Sequence, residues 1–160
     1  MPDDDPLRIR WRAATADDAA FCFSVYASTR AEELAAWGWG AAEQQIFLQM
    51  QSAARTASYR AAFPDASYAI VLRGDRPVGT FILNSHAEEI RLVDIALLPE
   101  HRGAGLGTEI IRRLQAEAHR GGRPLRLQVL RTSPAARLYA RLGFVATGGD
   151  EMRVELTSPA

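Results

Sequence analysis

Apolar and polar positions change their spacing several times along this chain, and each change marks an element. Residues 7–11 alternate apolar and basic side chains, which predicts a short first strand. Thr15-Ala16-Asp17-Asp18 has the form of a capping box, with two carboxylates at the electropositive start of a helix. That helix carries Ala19, Cys22, Phe23, Tyr26 and Ala27 along one stripe and runs to Ala36. Trp37-Gly38-Trp39-Gly40 breaks the pattern. A second helix follows over residues 41–62, with Ile46, Met50, Ala54 and Ala57 as its expected buried line, glutamines opposite, and Pro64-Asp65 as its stop. Residues 67–73 and 78–84 read as a hairpin about Gly74-Asp75-Arg76-Pro77, and residues 90–98 as a third strand.

Leu106, Ile110, Leu114 and Ala118, spaced by four, then predict a helix that ends at Gly121-Gly122, with Glu109 and Arg113 as an i, i+4 pair. Residues 124–130 alternate again. Ser133-Pro134 opens a short helix with Ala135, Leu138 and Leu142 on its apolar line. A closing hairpin, residues 144–146 and 152–156, turns at Gly148-Gly149-Asp150. The order β-α-α-β-β-β-α-β-α-β-β predicts an α/β fold, a mixed sheet covered by helices.

Composition narrows the function. With 160 residues the chain reads as one domain, residues 7–157, preceded by a disordered acidic tail over residues 1–6. Net charge is zero, so nothing points to nucleic acid. All nineteen basic residues are arginine, which removes lysine chemistry. The single cysteine, Cys22, rules out an internal disulfide and suits a reducing compartment; its apolar neighbours favour a structural thiol over a nucleophile. The N-terminus lacks the features of a signal peptide and no apolar run could span a bilayer, so the expected location is cytoplasmic, with no membrane partner. No His, Asp or Glu spacing suggests a metal; His101 and His119 read as surface residues.

The chemistry gathers where the third strand gives way to the next helix. Arg102, Gly103, Ala104, Gly105, Leu106, Gly107 and Thr108 form a glycine-rich turn at a helix N-terminus. Unpartnered N–H groups and the helix dipole there favour an anion, glycine lets a phosphate come close, and Arg102 adds a permanent planar donor. The glycines alone fit a plain tight turn equally well. A Walker A loop needs lysine, and the dinucleotide fingerprint needs G-x-G-x-x-G where these three glycines alternate, so neither familiar phosphate ligand fits.

Taken with Arg102-x-x-Gly105-x-Gly107, the helix Ser133-Pro-Ala-Ala-Arg-Leu138-Tyr139-Ala-Arg-Leu-Gly143-Phe144 resembles the GNAT superfamily of acyl-CoA-dependent N-acyltransferases. The resemblance covers nearly the whole chain in element order. It implies a single GNAT-like domain, with a mixed, mostly antiparallel twisted sheet of about seven strands and helices on both faces. By the same resemblance the turn wraps the pyrophosphate of acetyl-CoA, and the main chain of Ile95, Ala96 and Leu97 pairs with the pantetheine arm. Ser133 stands where many relatives have a pantetheine-touching asparagine. Tyr139 would lie near the CoA sulfur as the general acid. Some peptide-modifying relatives carry a glutamate base where this chain has Gln128, which cannot accept a proton at neutral pH.

The implied reaction is direct attack of an amine on the thioester in a ternary complex. Backbone N–H groups near residues 95–97 would stabilise the oxyanion. For the base, Asp94 is the candidate: a carboxylate in an apolar strand is either protonated, which suits a base, or given partners, which suits structure. A water relay is the alternative, and His86, Glu88 and Glu89 are expected to be solvated in a turn near the cleft. Acceptor contacts are expected from Tyr26, Glu32, Glu33, Trp37 and Trp39, since aromatics and carboxylates suit an ammonium. The leading expectation is N-acetylation of a small-molecule primary amine; the alternatives are a protein N-terminus or lysine side chain, or an acyl-CoA sensor without turnover. Relatives commonly form homodimers, so a homodimer belongs to what the resemblance implies.

Overall fold

A computed structural model describes residues 8–160; the expected tail over residues 1–6, and Leu7 of the expected first strand, lie outside them. The elements are β1 (Ile9–Ala13), a 3-10 turn (Ala16–Asp18), α1 (Ala19–Ala36), α2 (Ala41–Ala62), β2 (Ser67–Arg73), β3 (Arg76–Ser85) and β4 (Ile90–Leu97). After a second 3-10 turn (Pro99–His101) come α3 (Leu106–Arg120), β5 (Leu125–Leu130), α4 (Ala135–Arg141), β6 (Val145–Gly149) and β7 (Arg153–Ser158). The strands form one seven-stranded sheet in the order β1-β2-β3-β4-β5-β7-β6. The β4–β5 pair is parallel, and β1–β2, β5–β7 and β6–β7 are antiparallel, so the sheet is mixed as expected.

The chain divides into two compact units, one comprising residues up to Phe81 with Ile95–His101, the other Ile82–Asp94 with Arg102–Ala160. In the first, Ala69, Ile70, Val71 and Leu72 of β2 are all buried, and Trp11 meets Phe81 edge to face with centroids 5.3 Å apart. The first turn is pinned by charge. Both guanidinium Nη atoms of Arg12 donate to the Asp18 carboxylate at 2.8 and 2.9 Å, and the Thr15 N–H donates to Asp18 Oδ2 at 2.8 Å, the return half of the expected capping box. These bonds hold the Asp18 carboxyl well below the usual carboxylate range, against the opposing cost of its burial.

Two expected stripes are corrected here. On α1 the buried residues are Val25 and Leu34, while Ala19 is exposed. On α2 the expected line faces outward: Ile46 is 61% and Met50 67% exposed, and Ala54 and Ala57 are exposed too. Leu48 is the buried residue instead, with Phe47 and Tyr59 half-buried beside it. The aromatic side wins because Phe47 and Tyr59 carry far more apolar area than alanine, and because α1 offers Phe47 a partner in Arg30. Arg55 of α2 stacks on Tyr26 at 5.1 Å and Tyr59 at 4.8 Å, and Arg30 of α1 lies 5.8 Å over Phe47.

In the second unit, Leu106, Ile110, Leu114 and Ala118 of α3 are all buried, as their spacing requires, together with Ile111. Gln115 on the same helix donates to Leu142 O at 2.8 Å and Ser158 Oγ at 3.0 Å, tying α3 to the end of α4 and to β7. The last hairpin turns at Asp150, whose Oδ1 accepts the Met152 and Arg153 N–H groups at 2.8 Å each. Its strands exceed the expected spans, and β6 slips register between Ala146 and Gly148.

Candidate functional site

In the first unit, one glycine fixes where β4 ends. A Cβ at Gly79 of β3 would stand 2.5 Å from Ala96 O and 2.7 Å from a Leu97 methyl, closer than any real contact. The Leu98 N–H then donates to Val78 O at 2.9 Å. Gly79 thus seats Ala96 and Leu97, a role that local patterning gave no reason to assign. Ile95, Ala96 and Leu97 are only half-buried, although they are apolar and lie in a strand that begins with the buried Ile90.

The second unit carries the turn and the tyrosine. Parallel pairing joins Ile90, Arg91 and Leu92 to Leu125, Arg126 and Leu127, and both strands run on beyond this register. At the turn, Gly103 and Gly105 have φ of 75° and 82°, the left-handed region that side chains avoid. A Cβ at either would meet nothing within 4 Å, so open space lies over the backbone. Gly105 caps a 15-residue helix whose first backbone bond is from Glu109 N–H to Gly105 O at 3.0 Å. The N–H groups of Leu106, Gly107 and Thr108 therefore have no partner within the helix, and the dipole adds positive potential. Arg102, Gly103 and Ala104 are exposed, and Thr108 is half-buried.

A shallow hollow of about 530 Å³ follows one side of α3 from this turn, walled by Gly105, Thr108, Glu109, Arg112, Arg113 and Ala116. Arg112 and Arg113 place two further cations along the helix that begins at the turn, with Arg113 paired to Glu109. The sequence pattern gave Arg113 only as the i, i+4 partner of Glu109. Open left-handed glycines, unpaired N–H groups and clustered arginines are what a polyanion such as a diphosphate requires.

Tyr139 is the buried residue of α4, 7% exposed, and packs edge to face on Phe144 with centroids 5.4 Å apart. Burial raises its hydroxyl pKa, and the negative charge of Asp94 raises it further. The structure thus brings Asp94, half-buried on β4, within electrostatic reach of Tyr139. Ser133 lies just before α4, and its Oγ accepts the Ala135 N–H at 3.3 Å. Because the helix begins at Ala135, Pro134 takes the cap position that Ser133 was expected to hold.

Other candidates separate from this group. The turn of His86, Glu88 and Glu89 precedes β4, so Glu89 and Asp94 are about 16 Å apart along the strand at its usual rise. It is therefore not near Asp94, and Glu89 is not simply solvated: it pairs with Arg126 at 3.3 Å and Arg91 at 3.8 Å. Gln128 stands in register with Glu155 and hydrogen-bonds to it. Burial pushes the Glu155 pKa up, but the 2.6 Å bond and charge of Arg91 prevail and hold it below the usual range. Sequence spacing could not foresee this carboxylate beside Gln128. His101, expected at the surface, is half-buried with its Nε2 enclosed. Burial raises the Cys22 thiol pKa, which fits a structural thiol.

The acceptor candidates lie on α1, α2 and their connection. Tyr26 OH accepts from Arg30 at 3.0 Å, and Glu33 pairs with Arg30 at 2.6 Å, so both are engaged by one arginine of their own helix. Trp37, Trp39 and Phe47 form an edge-to-face triad with centroids 5.2–5.5 Å apart, and the tryptophans are 44% and 39% exposed. Glu32 is exposed. Among the described residues, no helix is long and apolar enough to cross a membrane.

The family model for the acetyltransferase (GNAT) domain matches residues 64–146, more than half of the chain. None of the curated proteins matches it in sequence. Among solved structures, the PaiA N-acetyltransferase of Thermoplasma acidophilum, in complex with coenzyme A, superposes with a TM-score of 0.68 at 14% identity, covering 96% of this chain and 99% of that one. An acetyltransferase of Thermus thermophilus gives 0.68 at 21% identity, over 96% and 98%. The ribosomal-protein-S18-alanine N-acetyltransferase of Escherichia coli gives 0.60 at 18% identity, over 95% and 94%. These likenesses establish a shared fold, and with the match to the family model the chain belongs to the GNAT acetyltransferase family.

Proposed function

We propose that this protein transfers the acetyl group of acetyl-CoA to a primary amine of a small molecule, by direct attack in a ternary complex, in the cytoplasm. The observation that carries the donor side is the turn at α3: two left-handed glycines under open space, at the N-terminus of a helix flanked by Arg112 and Arg113. In this reading Arg102 and the N–H groups of Leu106, Gly107 and Thr108 hold the pyrophosphate. The main chain of Ile95, Ala96 and Leu97 receives the pantetheine arm, with the Ser133 hydroxyl as a further contact.

Acetyl-CoA supplies an acyl group already activated as a thioester. The chain supplies the proton management. An acid for the departing thiolate must hold its proton at neutral pH; a phenol does so already, and the upward shift at Tyr139 widens that margin. Asp94 is the residue we assign to take the proton of the incoming ammonium, directly or through water. Its charge raises the Tyr139 pKa, so protonating Asp94 would remove that effect and make Tyr139 a stronger acid when the thiolate leaves. Tyr26 and Glu33 are engaged with Arg30, so Trp37 and Trp39 are the stronger candidates for acceptor contact.

Calorimetric titration with acetyl-CoA tests the donor side. Arg102→Ala and Gly105→Val should each weaken binding by roughly tenfold to a hundredfold, the worth of a charge-assisted bond or of a lost left-handed turn. Wild-type affinity in both variants would remove the pyrophosphate assignment.

A further inference from the structure

The outward face of α2 has the pattern of an interface. Glu43, Ile46, Met50, Ala53, Ala57 and Arg60 are all exposed, and they follow one another at alternating steps of three and four. That is the spacing of a coiled-coil seam. At 100° per residue the seam lies opposite Leu48, the buried residue of the helix. A helix face left to water normally carries charges. Between Glu43 and Arg60 this helix has one charged side chain, Arg55, and it is stacked on Tyr26 and Tyr59.

We propose that α2 packs antiparallel against α2 of a second copy of this chain, about a two-fold axis near Gln51 and Ser52. The order of the steps reads the same in both directions, so the antiparallel arrangement aligns the seam with itself. Size and charge then match at every level. Ile46 falls opposite the partner's Ala57, and Met50 opposite the partner's Ala53, so each large side chain meets a small one. Glu43 falls opposite the partner's Arg60, and the two helix dipoles oppose. Ala53, Ala57 and Arg60 also form the lip of a hollow of about 510 Å³ whose other walls include Phe23, Gln49 and Thr56. This gives the large side chains of a second copy somewhere to go. A parallel pair would set Ile46 and Met50 against themselves, leave the alanine end loose and place like charges together.

Sedimentation velocity over a concentration series tests the interface. The wild-type chain should move with rising concentration from 17.6 kDa toward twice that mass. Met50→Glu should hold it at 17.6 kDa with an unchanged helical circular-dichroism signal, because the side chain is 67% exposed in the single chain. Glu43→Arg and Arg60→Glu should each weaken association, and the double variant should restore it. The two positions are about 26 Å apart on one helix, so recovery can arise only across the interface. The swap also sets both charges against their own helix dipole, so a gain in helix stability cannot mimic it. A wild-type chain that stays monomeric at every concentration would overturn the proposal. So would a dimer that survives Met50→Glu, or a double variant no better than the singles.

Discussion

Tyr139 meets two demands that pull in different directions. As the buried residue of α4, packed on Phe144, it belongs to the core; as the proposed acid it needs a hydroxyl that reaches the reaction. Burial is compatible with both, because the loss of solvation around the ring moves the hydroxyl pKa further above neutral pH, where a phenol already holds its proton. Tyr139→Phe preserves the ring and removes only the hydroxyl. The expected result is a fall in kcat by about 10²–10⁴ where chemistry limits the rate, with the KM for acetyl-CoA little changed. In wild type, the rate should not fall on the alkaline side until above the ordinary tyrosine pKa of about 10, because the shift is upward. A Phe variant with wild-type kcat would remove the acid role. At this scale the motif residues were legible in the chain, since Arg102, the glycines and Tyr139 sit at characteristic spacings. Gly79 and the Arg91–Glu155–Gln128 group were not, because their roles depend on partners far away in sequence.

Elements followed from patterning where one face alone could be buried. The four-residue spacing on α3 and the breaks at Gly40 and Gly121 left one solution, and the structure has it. On α2 two apolar faces competed, and spacing cannot weigh aromatic stacking against α1 or the claim of a partner. Sequence alone therefore chose the wrong face. The start of α1 shows the opposite case, where four residues are enough. Asp18 holds the Thr15 N–H and both Nη atoms of Arg12, joining β1 to the first turn. Its folded-state pKa is depressed, so its contribution to stability is fully present above the unfolded aspartate value of about 4 and is lost as pH falls through the folded value. Asp18→Asn should lower Tm by the same amount across neutral pH. In thermal melts the gap to wild type should close in acid below the ordinary carboxylate range. A gap of constant size down to the most acidic pH that still gives a folded protein would mean that charge is not what Asp18 contributes.

For the molecule as a whole, membership of the GNAT acetyltransferase family sets the reaction class, and the proposed function assigns the turn at α3 and Tyr139 to it. The turn proposed for the donor was readable because an anion site at a helix N-terminus is built from backbone geometry, which glycines announce. The acceptor was not, because partly exposed side chains such as Trp37 and Trp39, which pack on one another, carry no pattern that separates binding from packing. The most direct measurement of the central claim is release of free thiol from acetyl-CoA by the wild-type protein across a panel of small amines, with peptides included. At least one small amine should raise release well above the rate without acceptor and should itself be recovered acetylated. Release that no amine or peptide accelerates, from a protein that binds acetyl-CoA, would contradict the claim and leave a binding domain without turnover.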